Sequence, residues 1–173
     1  MRGHVESLLA SVAIATAAAL SAATALAQPV DTARIAAGDP NGWLAYHQSY
    51  NGWNYSPLDQ INANNVKDLE VAWIHVPGHA TRGLQTMPLV ADGVLYYTGS
   101  YSRVFALDGA TGKQLWSYTP ELDEALVARL THSPYNRGAA IGDGKLYVGT
   151  VDGRLIALDM KTGKVDWDTK LQD

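Results

Sequence analysis

The stretch Tyr96–Trp116, YYTGSYSRVFALDGATGKQLW, returns later in the chain as Tyr147–Trp167, YVGTVDGRLIALDMKTGKVDW. The copies align without a gap at an offset of 51 residues, from Asp92 on Asp143 to Trp116 on Trp167. Identical pairs include Gly93 with Gly144, Tyr96 with Tyr147, Arg103 with Arg154, Ala106-Leu107-Asp108 with Ala157-Leu158-Asp159, and Thr111-Gly112-Lys113 with Thr162-Gly163-Lys164. In each copy an alternating apolar run (Val94 to Thr98, Lys145 to Thr150) meets a turn and then a second run (Arg103 to Asp108, Arg154 to Asp159). Another turn ending in Thr-Gly-Lys leads to a short strand that carries Trp. Each unit is a small antiparallel meander. Meanders repeated at this period predict an all-β chain, a β-propeller whose blades pack face to face round a central channel.

The letters of the repeat have structural explanations. Glycine in Thr-Gly-Lys supplies the positive φ of a tight turn, and the preceding Asp bonds backbone N–H groups of that turn. Trp116 and Trp167 are large enough to act as wedges between blades. Two units, about 88–116 and 139–167, cannot close a ring, and an open propeller exposes strand edges. The chain is therefore expected to be the N-terminal fragment of a longer propeller, with about two blades present.

Other features bound the chain around the repeat. Residues 1–27 read as a secretory signal peptide: Arg2, a run of small and apolar residues from Leu8 to Leu26, and an A-x-A pattern that places cleavage after Ala27. An exported protein is expected, with no membrane span in its mature part. Residues 28–73 form the next section, an irregular arm punctuated by Gly, Asn, Pro and Asp. Trp43, Tyr46, Tyr50, Trp53 and Tyr55 are its expected aromatic anchors, and Leu69, Val71 and Trp73 alternate as a closing strand. Residues 74–173 hold the two blades. A net charge of -4 without any Lys/Arg run gives no footprint for nucleic acid, and the lack of cysteine excludes disulfides, thiolate metal sites and CxxCH haem attachment in this chain. His75 and His79 stand four apart, but Pro77 and Gly78 break the helix that would align them on a metal.

Between the copies, PELDEALVARL predicts a short helical excursion, followed by the loop THSPYNRGAA. Loops on a rigid scaffold are where binding and catalytic groups concentrate, so this loop is the first candidate for function.

The segments NYSPLDQINANNVKDLEVAW, TMPLVADGVLYYTGSYSRVFALD, YNRGAAIGDGKLYVGTVDGRLIALD, ALDGATGKQLW and ALDMKTGKVDW resemble, from Gly42 to Asp173, the quinoprotein dehydrogenases. These are the eight-bladed methanol and ethanol dehydrogenases that depend on pyrroloquinoline quinone (PQQ) and carry the tryptophan-docking repeat. The resemblance implies a periplasmic PQQ-dependent alcohol dehydrogenase that oxidises a small alcohol, uses Ca²⁺ or a lanthanide as Lewis acid, and passes electrons to a cytochrome c. It places the cofactor-binding Arg at Arg137, whose fork of donors suits a carboxylate or quinone oxygen. Gln85 stands where the family has Glu before the PLV strand. Thr131 and His132 stand where many members have two adjacent cysteines against one face of the cofactor, with the His132 ring as an alternative stacking surface. The metal ligands and the catalytic Asp belong to later blades, past residue 173, so the resemblance names no catalytic residue here and implies that the fragment alone is inactive. The rival reading is a non-enzymatic periplasmic propeller that binds other proteins, and a third is a propeller that has lost both roles.

Overall fold

The computed structural model describes residues 29–78, 83–129 and 134–171. The signal-peptide reading therefore falls outside the described residues.

Two four-stranded antiparallel sheets carry the repeat. The first consists of β1 (Leu89–Ala91), β2 (Val94–Thr98), β3 (Val104–Asp108) and β4 (Gln114–Tyr118), and the second of β5 (Ala140–Gly142), β6 (Lys145–Gly149), β7 (Arg154–Asp159) and β8 (Val165–Lys170). Both run in simple meander order, as in propeller blades. The duplication extends to irregularities: each third strand shifts register against its fourth at the same point, Ala106/Leu107 and Ala157/Leu158. Alternation along the sequence shows three strands per unit; β1 enters only as the PLV strand of the family resemblance, and β5 is not expected at all. With three residues each, these inner strands are too short to show a period.

Packing between the blades follows from strand alternation. In β2 and β3 one set of side chains, Tyr96, Val104 and Ala106, joins a core with Ile141, Leu146, Val148, Ile156 and Leu158 of the second blade. The other set, Tyr97, Phe105 and Leu107, forms a second cluster on the opposite face, with Trp73 against it. Both faces of the first blade are thus covered, which is why β3 reads as a continuous apolar run.

The tryptophans and the Thr-Gly-Lys turns lock these layers. Trp116 lies over Gly163 and donates from its indole N–H to the Met160 carbonyl at 3.0 Å. In the repeated turns, Asp108 Oδ1 accepts from the amides of Ala110 and Thr111 and from the Thr111 hydroxyl, and Asp159 Oδ1 does the same for Lys161 and Thr162. Those bonds, led by the threonine hydroxyls, hold both carboxyls below their ordinary range.

Trp73 is a third member of the set, which sequence alignment of the two copies does not include. It lies over Gly112 as Trp116 lies over Gly163, and its indole donates to the Gly109 carbonyl at 3.1 Å. Residues 69–77 carry no regular secondary structure and pair with no strand among the described residues, so the expected closing strand is not formed there as a strand; the segment is held by Trp73 and His75 instead. His75 continues the contact, with Nδ1 at 2.6 Å from the Tyr97 hydroxyl. Burial pushes that phenol up to about 12.

The arm is attached differently from the expectation. Val30, Ile35 and Leu44 are its buried anchors, whereas Tyr46, Tyr50, Trp53 and Tyr55 are exposed. The helix α1 (Thr32–Ala37), capped by Asp31, seats Ile35 in the core between the blades. The Val30 carbonyl accepts from Asp143 of the second blade, and Trp43 bridges to Val90 of the first. Aliphatic side chains and the partly buried Trp43 pack against the core between the blades, so of the five expected aromatic anchors Trp43 serves as one and the other four lie at the surface.

Candidate functional site

Meander topology sorts the turns onto two ends of the sheets. One end carries the repeated Asp-Gly and Thr-Gly-Lys turns, whose letters are explained by conformation and docking. The other carries the approach to β1 (83–88), the β2–β3 loop (99–103), the approach to β5 (134–139) and the β6–β7 loop (150–153). The sequence differs between copies mainly at this second end.

Four loops meet there through named hydrogen bonds. Met87 N–H donates to the Arg137 carbonyl at 3.1 Å, and the Tyr101 amide donates to the Pro134 carbonyl at 2.9 Å. Asn136 Nδ2 donates to the Gly149 carbonyl at 2.8 Å and to Ser102 Oγ at 3.3 Å. The Asn136 Oδ1 accepts from Gly138 N–H at 3.0 Å, closing a small turn round Arg137. Gly138 has φ +127 and passes so close to the first blade that a Cβ would lie 3.0 Å from the Met87 carbonyl oxygen. Thr86 bonds Thr98 through both hydroxyls at 2.9 Å, which pins the residue beside Gln85.

These contacts bring the segments of Gln85 and Arg137 together, although 51 residues separate them in sequence. Both side chains are exposed, and neither makes a hydrogen bond or ion pair among the described residues. The corner therefore presents five guanidinium donors and a neutral amide that both donates and accepts. Thr131 and His132 lie outside the described residues. The helical excursion before them is α2 (Glu124–Arg129), as expected from its spacing.

The site has two features that sequence reading missed. Ser100 Oγ is buried without a partner, in a loop where Tyr101 and Ser102 both take left-handed φ values of 60 and 58. Such orphaned and strained groups cluster at functional sites. Their sequence signal was only that GSYSR matches its counterpart TVDGR at the final Arg alone. Among the described residues no cluster of three or more His, Cys, Asp or Glu is placed to hold a metal, and no helix is long and apolar enough to cross a membrane.

A PQQ tricarboxylate offers carboxylate and quinone oxygens as acceptors. The donors that Arg137 and Gln85 leave unpaired fit such a group, and Gln85 adds a donor that Glu would lack.

Comparison with known proteins bears on the same region. A family model described as the β-propeller domain of glucose, ethanol and alcohol dehydrogenases, under the heading PQQ, matches residues 43–169. The dehydrogenase subunit of the quinone alcohol dehydrogenase from Gluconobacter oxydans is 50% identical over 130 residues, covering 75% of this chain and 17% of that protein. Quinohemoprotein alcohol dehydrogenase ADH IIB from Pseudomonas putida is 46% identical, with 86% and 22% covered. The solved quinohemoprotein alcohol dehydrogenase ADHIIG from Pseudomonas putida HK5 superposes with a TM-score of 0.76 at 40% identity, over 83% of this chain and 21% of that one. The chain spans about a fifth of the length of the curated relatives it matches.

Proposed function

The chain belongs to the PQQ family, the β-propeller domain of glucose, ethanol and alcohol dehydrogenases, and from that membership we propose that it supplies the first two blades of an exported, periplasmic alcohol dehydrogenase. The observation that carries this reading is the juxtaposition of the Gln85 and Arg137 segments at the non-repeating end of the blades, where both side chains are exposed and neither is hydrogen-bonded among the described residues. Arg137 holds a carboxylate or quinone oxygen of PQQ, and Gln85 bonds a neighbouring oxygen of the same group. When bound, PQQ with Ca²⁺ or a lanthanide supplies the two-electron acceptor for hydride from the alcohol carbon. Thr131 and His132 border the cofactor, His132 on the side where many relatives have paired cysteines. Electrons leave to a cytochrome c.

The remaining site groups, metal ligands and proton acceptor included, come from later blades of an eight-bladed ring. Two surfaces support that architecture. Residues 69–77 pair with no strand among the described residues and leave Val71, Ile74 and Val76 exposed. On the second blade, Trp167 packs on Tyr147 at 5.9 Å and 43°, matching Trp116 on Tyr96 at 6.0 Å and 45°. That wedge is assembled and uncovered, ready for a third blade.

Full-length protein loaded with PQQ and Ca²⁺ should reduce an artificial dye on addition of primary alcohols, and Arg137→Ala should weaken PQQ binding. The 173-residue chain alone should do neither. A full-length protein without PQQ affinity would overturn the reading and favour a protein-binding propeller.

A further inference from the structure

The internal repeat supplies a control for each residue of the corner. Ser102 of the β2–β3 loop aligns with Gly153 of the β6–β7 loop, at the same offset of 51 residues. Both take left-handed backbone, with φ 58 at Ser102 and φ 79 at Gly153. Glycine is the residue this conformation favours, and the second blade has it. The first blade keeps a serine there against that preference, so its hydroxyl has a use that the backbone does not supply.

That hydroxyl is fully buried and joins three loops. Ser102 Oγ accepts from Asn136 Nδ2 and from the Val151 amide, each at 3.3 Å. Asn136 in turn closes the turn round Arg137 through Gly138 and bonds the Gly149 carbonyl. A rotation of the Asn136 amide would release the turn that aims the guanidinium. Ser102 itself lies beneath the loops and is completely covered.

We propose that Ser102 is a positioning residue for Arg137, its hydroxyl holding the Asn136 amide and through it the Asn136–Gly138 turn. The proposal rests on the reading of Arg137 as the anchor of PQQ. Ser102→Gly is the discriminating change, because it restores the residue of the second blade, relieves the left-handed strain and removes nothing beyond the hydroxymethyl side chain. Asn136→Asp is its companion: it keeps the acceptor for Gly138 and removes the Nδ2 donor shared by Ser102 and the Gly149 carbonyl.

The measurement is titration of PQQ, with Ca²⁺ present, into cofactor-free full-length protein, followed by quenching of tryptophan fluorescence. Ser102→Gly should melt no lower than wild type yet bind PQQ about five- to tenfold more weakly, the loss expected for one hydrogen bond. Asn136→Asp should show a similar loss. In an Arg137→Ala background, Ser102→Gly should change affinity by less than about twofold, because the effect travels through the arginine. If Arg137→Ala weakens binding and Ser102→Gly does not, the positioning role falls while the anchor stands. If the Ser102→Gly loss persists in full without Arg137, the serine acts independently and the positioning role also falls. Unchanged affinity in Arg137→Ala would overturn the anchor, and the positioning role with it.

Discussion

Trp116 of the first blade lies over Gly163 of the second so closely that a Cβ on that glycine would stand 2.5 Å from the indole ring. The glycine also sits at φ +69, so two independent requirements, backbone sign and space for the ring, select the same residue.

Gly163→Ala should therefore destabilise the protein by about 2–4 kcal/mol, combining left-handed strain with overpacking. Trp116→Ala should cost about 3 kcal/mol through lost packing. The double variant should cost less than the sum, since removal of the ring removes the clash. Urea denaturation of the four proteins checks the cycle; strict additivity would refute the contact.

Trp73 and Gly112 stand in the same relation, with a Cβ on the glycine again 2.5 Å from the indole. Trp73→Ala should lower stability by about 2–3 kcal/mol. Hydrogen exchange should localise the loss to β2 and β3, whose Tyr97, Phe105 and Leu107 the indole covers. Protection there equal to wild type would show that the 69–77 segment contributes nothing to the blade.

The carboxyls of Asp108 and Asp159 lie below their ordinary value of 3.8, held down first by the hydroxyls of Thr111 and Thr162. A depressed folded-state pKa contributes stability that is fully present above the unfolded value and is lost as pH falls through the depressed one. The melting-temperature difference between wild type and the Asp108→Asn/Asp159→Asn protein should stay constant from neutral pH down to about 4 and shrink only in stronger acid. A difference that vanishes already between pH 7 and 5 would contradict the assignment.

Arg34 buckles the arm to the first blade through Asp92 at 2.8 Å and braces the arm internally through Asp39 at 3.0 Å. Although burial works against it, Asp39 is held below the ordinary carboxylate range by the bonds from Arg34 and the Asn41 amide. Arg34→Met should loosen the arm by about 1–3 kcal/mol, the range for hydrogen bonds to charged groups. Faster amide exchange at Trp43, Val90 and Asp143, the three backbone donors that join arm and blades among the described residues, would report it.

Arg137→Ala should leave stability within about 0.5 kcal/mol, because the guanidinium makes no contact of its own among the described residues. PQQ affinity should fall about ten- to hundredfold, the loss of a charge-assisted bond or pair of bonds. Arg137→Lys should recover part of it, since the charge remains but the fork does not. Equal loss of stability and affinity would identify Arg137 as a structural residue.

The meander was legible because its rules are local. Alternation of apolar residues, the Asp-to-amide bonds and the positive φ of Gly112 and Gly163 are all written within a few positions. The repeat made them readable twice, and Trp116 could be recognised as a wedge from its size and its recurrence. Gln85 and the loop from Thr131 to Arg137 were singled out by the opposite property, their departure from the repeat.

Contacts between distant segments left no such trace. Trp73 stands 43 residues before Trp116, not 51, so the shared offset that exposed the other pair hid its equivalence. The three-loop junction at Ser102, the aliphatic seating of the arm, and the approach of the Gln85 segment to that of Arg137 each depend on how two finished sheets pack. A pairing of that kind has no period along the chain. It arises only once inter-blade burial has set the distance between loops, and then a serine hydroxyl 34 residues before Asn136 can hold it in place.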